Sequence, residues 1–151
     1  MRALIGNAIV IIVALLLFQW GDKSFLEALL LAFLFVKVGL YGLFYASGHL
    51  FNAEKVAQYI GWKSNFFQKE VGYANLAFGV LGVLSFWMQD SFWTATIIGY
   101  AVFYIGCGII HIEDMKSNGN HSGGNNWTHV LLICFLQPVI GIVLLLAKSL
   151  S

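Results

Sequence analysis

The chain has 151 residues, 60% of them hydrophobic and 10% charged, with a formal net charge of +1 and a single proline. A soluble domain averages about 45–50% apolar and about 25% charged residues, so this composition leaves too little polar surface for a water-facing fold and makes lipid the main solvent. The length accommodates one domain, residues 1–151,. The absence of a Lys/Arg cluster argues against nucleic acid as a partner, and two cysteines without Cys-x-x-Cys spacing make neither a disulfide framework nor a zinc motif,.

A helix needs about 20 apolar residues to cross a bilayer, within a range of about 17–25. Five stretches qualify: 3–20, 25–50, 71–88, 92–112 and 129–147. Continuous apolar runs without alternation favour helices over a barrel. The predicted fold is therefore all-α: a polytopic membrane bundle of five transmembrane helices, or four if one run is re-entrant, plus a short amphipathic helix lying in the interface.

The first run, with Arg2 ahead of an apolar stretch, has the outline of a signal peptide. Gln19, Trp20, Gly21 and Asp22 offer no small-x-small cleavage site, so it reads as the first membrane helix. The second run carries Lys37 near its middle, about 18 Å from either end at the helical rise. A cation there costs about 2.5–3.5 kcal/mol on insertion scales and should face the bundle or a wet cavity. A tilted helix or a snorkelling side chain is the competing reading. Between the second and third runs, Val56, Tyr59 and Ile60 share one helical face, with Glu54, Lys55 and Gln58 opposite. Asn52 is the expected N-cap and Gly61 the expected stop,.

Glu70 opens the third run, and Asn75 lies about 7–8 Å deeper. Gly39, Gly42, Gly72, Gly79, Gly82, Gly99 and Gly106 are expected to let helices approach closely,. The fourth run ends at His111, with Cys107 one turn deeper on the same stripe. The polar stretch from Lys116 to Asn126 has the composition of a flexible loop, with Gly123-Gly124 a weak candidate anion nest. Asn126 or Thr128 is placed to cap the fifth run, which contains Cys134 and the pair Gln137-Pro138, expected to give a kink,.

With five spans, Arg2, Lys55, Lys63, Lys69 and Lys116 fall on the side of the N-terminus, and Lys23 and Lys148 on the other. The positive-inside tendency then makes the N-terminus cytoplasmic and the C-terminus external. The same count puts all four histidines, with Glu70, Glu113 and Asp114, at one membrane face. It predicts a polar pocket lined by His49, Glu70 and His111 and floored by Asn75. Imidazole plus carboxylate is a common first shell for divalent metals, so His49, Glu70 and His111 are candidate metal ligands. Haem held by His49 and His111 on facing helices is a further version, and proton transfer by the same groups another. Against these stands the ordinary collection of polar residues at membrane helix ends.

The runs Ile60–Gly82 (IGWKSNFFQKEVGYANLAFGVLG) and Phe103–Met115 (FYIGCGIIHIEDM) resemble a family of small bacterial and archaeal membrane proteins of unknown function. Ile60-Gly61-Trp62, the Phe67–Gly72 segment and Ala74-Asn75-Leu76 carry the resemblance, with Gly48-His49 and His111. It extends from about Leu40 onward. Where the family pattern often has proline before the Phe-Gln pair, Phe66 stands here. The resemblance implies a multi-pass protein of a bacterial or archaeal inner membrane and points to His49, Glu70, Asn75 and His111, but it implies no reaction.

Three functions follow as expectations. The first is a pocket binding a small ligand, lipid or metal. The second is a small oligomeric transporter or channel, with Lys37 and Gln137 on its path. The third is an accessory subunit of a larger membrane complex.

Overall fold

The computed structural model describes residues 2–150, with side chains from Ile5 onward; the side chain of Arg2, counted above for orientation, lies outside the described residues. Every regular element in them is helical: α1 (Arg2–Trp20), α2 (Phe25–Phe51), α3 (Ala53–Ile60), α4 (Phe66–Leu84), α5 (Ser91–Asn118) and α6 (Trp127–Ser149). Among the described residues, α2, α5 and α6 are long and apolar enough to cross a membrane, and the apolar part of α1, Ile5–Trp20, is shorter.

Local signals explain where these helices begin and end. Ser24 and Glu27 form a reciprocal capping box at the start of α2: the Ser24 hydroxyl accepts from the Glu27 amide, and the Glu27 carboxylate accepts from the Ser24 amide,. Asn126 caps α6 by accepting from the His129 amide at 2.9 Å,. Gly61, at φ +85°, ends α3 in the left-handed conformation open to glycine,. Asn52 stands at the expected break between α2 and α3, but its side chain makes no capping hydrogen bond.

Both α2 and α6 contain a widened π-helical segment, Leu34–Leu40 and Val130–Leu136. The second ends at Gln137-Pro138, where the missing proline N–H breaks the regular ladder.

Successive long helices alternate in direction around α2, which packs against α1, α4, α5 and α6. The approach of α2 to α4 is backbone on backbone: a Cβ on Gly42 would come within 2.8 Å of Gly79, and one on Gly82 would collide with the Gly39 backbone,. Gly106, expected in the same role, faces open space.

One half of the bundle is filled by Leu30, Leu31, Phe33, Leu34, Trp93 and Ile97. Its end is tied by Lys148 to Asp90 at 3.4 Å and by Lys23 to Gln89 at 3.2 Å. Outward faces carry Ile9, Ile12, Leu16, Val102, Ile109, Val139 and Val143, all exposed.

Lys37 is buried inside the bundle, its ammonium 5.0 Å from the Tyr41 ring centroid and directed at Gly6 of α1. It therefore faces the bundle rather than snorkelling to a surface.

Candidate functional site

The other half of the bundle is open. The C-terminal part of α2, α3, the start of α4, the end of α5 and the start of α6 surround a cavity of about 670 Å³. His49, Asn75, His111 and His129 are in its wall, with Cys107 and Cys134 deeper among apolar groups. Phe44 of α2 and Ile110 of α5 also line it while remaining 58% and 55% exposed. They give the cavity an opening on the apolar flank of the bundle. Among the described residues no carboxylate is in its lining, and Lys55 is the one Lys or Arg there.

The floor joins α4 to α5. Tyr104 Oη–H donates to Asn75 Oδ1 at 3.0 Å, and Asn75 Nδ2 donates to the Val71 carbonyl at 2.9 Å, so this buried amide is engaged on both sides,. Below it the rings of Phe78, Tyr100 and Phe103 close the space, with Phe78 and Phe103 centroids 5.4 Å apart.

The roof is built by the segment expected to be a flexible loop. Asp114, on the last turns of α5, gathers four side-chain donors. Trp62 Nε1 reaches Oδ2 at 2.7 Å, as do Asn120 Nδ2 at 2.6 Å and Asn125 Nδ2 at 2.7 Å, and Asn118 Nδ2 reaches Oδ1 at 2.7 Å. Asn120 also donates to the Ile60 carbonyl at 3.0 Å, and the Gly124 amide donates to the Tyr59 carbonyl at 2.9 Å. Gly123 and Gly124 lie against the Tyr59 ring, where a Cβ on either would come within 2.8 Å. The Gly-Gly pair thus serves close packing under an aromatic ring. Residues 119–126 form a tied cap over α3 instead of a loose connector, and Asn125 is fully buried.

This network orients the imidazoles. Asn125 Oδ1 accepts from His111 Nδ1 at 2.9 Å, Trp62 stacks on the His111 ring with centroids 5.0 Å apart, and the His129 ring lies 6.4 Å from it. On α2, His49 Nδ1 accepts from Gln68 Nε2 at 2.9 Å.

Of the four residues expected to line the pocket, His49, Asn75 and His111 are brought together, and Asn75 forms the floor as anticipated. Glu70 is not. It is exposed and outside the lining, and Gln68 takes the inward position beside His49. Two residues apart on a helix is about 200° of rotation, so both cannot face inward. Without Glu70 the trio His49, Glu70 and His111 has no carboxylate in the cavity, and among the described residues no three His, Cys, Asp or Glu side chains are grouped to hold a metal ion.

Lys37 and Gln137 are both buried, outside this cavity. Gln137 Nε2 donates to Asn7 Oδ1 at 3.5 Å, while its Oε1 has no partner among the described residues.

Trp62 and Asn125 are functional candidates that sequence reasoning passed over, and Asp114, expected at this face, proves to organise the roof. Gln68 had a legible signal: Gln68, Gly72, Asn75, Gly79 and Gly82 recur every three or four residues as one buried stripe of α4,.

No curated protein and no solved structure matches the chain. The model of a family of unknown function, DUF6790, matches residues 2–151. The chain is a member of the DUF6790 family, an all-helical protein with helices able to span a membrane.

Proposed function

We propose that this protein is a multi-pass membrane protein that binds an amphiphile in the cavity at the histidine-bearing end of its bundle. One observation carries this: a cavity of about 670 Å³ with imidazoles at its roof and rings at its floor opens beside Phe44 and Ile110, on the face lipid would cover. Ligand sites are concave and mostly apolar, with a few convergent polar groups, and this wall fits a molecule with a hydrogen-bonding head and an apolar body.

In this proposal α1, α2, α4, α5 and α6 all cross the bilayer. The end carrying Lys55, Lys63, Lys69 and Lys116 faces the cytoplasm, and the end carrying Lys23 and Lys148 faces outward,. α3 lies in the cytoplasmic interface. The apolar filling of the far half, from Leu30 to Ile97, favours a closed-ended binding site over a path through Lys37 and Gln137.

The test is photolabelling of the purified chain in liposomes with a long-chain alcohol bearing a diazirine in its tail. Adducts are expected on Phe103 and Ile133 in preference to the outward-facing Val102, Val139 and Val143. Equal labelling of both sets would overturn the proposal.

A further inference from the structure

Resting on the amphiphile site just proposed, we infer that the head group it takes is an aromatic hydroxyl of the phenol or hydroquinone class, and that Asn125 sets this preference through the ring of His111. A carboxylate only accepts hydrogen bonds, so the amide atom of Asn125 facing Asp114 must be Nδ2, at 2.7 Å,. The carbonyl Oδ1 then faces His111 Nδ1 at 2.9 Å and accepts from it. In a neutral imidazole one nitrogen donates and the other accepts. With its N–H committed at Nδ1, His111 offers a lone pair at Nε2, and Nε2 has no hydrogen-bond partner among the described residues. Trp62 covers one face of the ring and donates to the same Asp114 oxygen. A single carboxylate therefore fixes both the amide orientation and the ring plane.

His49 carries the complementary pattern. Its Nδ1 accepts from Gln68 Nε2 at 2.9 Å, so its own N–H sits at Nε2,. The cavity wall thus holds an imidazole acceptor and an imidazole donor, with no carboxylate beside them. A phenolic hydroxyl can donate to the first, and a hydroxyl oxygen of the same head group can accept from the second. A quinone carbonyl can only accept and leaves His111 unsatisfied. A carboxylate or a fully ionised phosphate only accepts, and would need His111 to carry protons on both nitrogens. The rings of Phe44, Tyr45 and Phe103 in the wall suit a flat aromatic head over a flexible one,.

The experiment compares decylhydroquinone, decylbenzoquinone and decyl phosphate by calorimetric titration of the detergent-purified full chain, with ring 15N spectra of His111 as a second readout. Decylhydroquinone is expected to bind at least tenfold tighter than either competitor, with His111 protonated at Nδ1 alone. Asn125→Leu is expected to remove the tenfold preference. Equal affinities, tighter binding of decyl phosphate, or a His111 ring protonated at Nε2 each overturn the head-group inference. If none of the three binds while the diazirine alcohol still labels Phe103 and Ile133, the inference fails and the cavity reading stands. If that labelling is also absent, both fail.

Discussion

The indole of Trp62 lies flat on the imidazole of His111, with centroids 5.0 Å apart and planes 13° from parallel, while its N–H donates to Asp114 at 2.7 Å. One side chain in the connection after α3 thereby holds a ring on α5 and the carboxylate that organises the cap. Trp62→Ala removes both contacts from a half-buried site. It should lower stability by about 1–3 kcal/mol, below the range for a fully buried aromatic. Trp62→Phe keeps a ring over His111 and loses the hydrogen bond, for a smaller cost of about 1 kcal/mol. Thermal melts of the two variants in detergent check the order; a Phe variant no more stable than the Ala variant would show that the stack contributes little.

Asp114 takes hydrogen bonds from four side chains, three of them asparagines. In Asp114→Asn one oxygen becomes a donor facing other donors. Hydrogen bonds to a charged group are worth about 1.5–3 kcal/mol each, so the cap over α3 should loosen even where the bundle stays folded. Amide hydrogen exchange at Gly124, whose N–H is held by the Tyr59 carbonyl, is expected to accelerate at least tenfold. Unchanged protection there would separate the cap from the carboxylate.

These two features mark the limit of what the sequence discloses. The apolar runs, the short amphipathic helix ending at Gly61, the glycine contact between α2 and α4 and the gathering of His49, Asn75 and His111 are all readable, because each follows from length, period or the helical rise. Glu70 departs from the expectation because register outweighs charge: the buried stripe through Gln68 and Asn75 leaves Glu70 on the opposite side of α4. The stretch from Lys116 to Asn126 looked loose because asparagine, serine and glycine are also the residues of mobile loops. Its order comes from side-chain amides meeting a carboxylate and the Ile60 carbonyl, and from the Gly124 backbone amide meeting the Tyr59 carbonyl. Such partners are set by tertiary placement and leave no periodic trace.

Gly82 and Gly106 should behave in opposite ways. A Cβ at Gly82 meets the backbone of Gly39, which cannot move without separating α2 from α4; one at Gly106 meets nothing within 4 Å. Gly82→Val is expected to abolish the folded, monodisperse protein, whereas Gly106→Ala should be neutral or slightly stabilising, since alanine is the better helix former by about 1 kcal/mol. Size-exclusion profiles of the two variants provide the check, and a well-folded Gly82→Val would contradict the backbone contact.

Lys37 is buried in the bundle and is not part of the cavity wall. Lys37→Met should therefore leave the affinity for decylhydroquinone within twofold of the parent. A large loss, with the melting temperature unchanged, would join Lys37 to the site and revive a path through the bundle.

The amphiphile site is tested most directly by native mass spectrometry of the full chain with saturating decylhydroquinone, comparing Ile133→Trp, which fills the cavity, with Val143→Trp on the exposed outer face of α6. One retained adduct per chain is expected in the parent and in Val143→Trp, and none in Ile133→Trp at an unchanged melting temperature. Adducts equally abundant in all three proteins would mean that the probe coats the apolar surface and that the cavity is not its site.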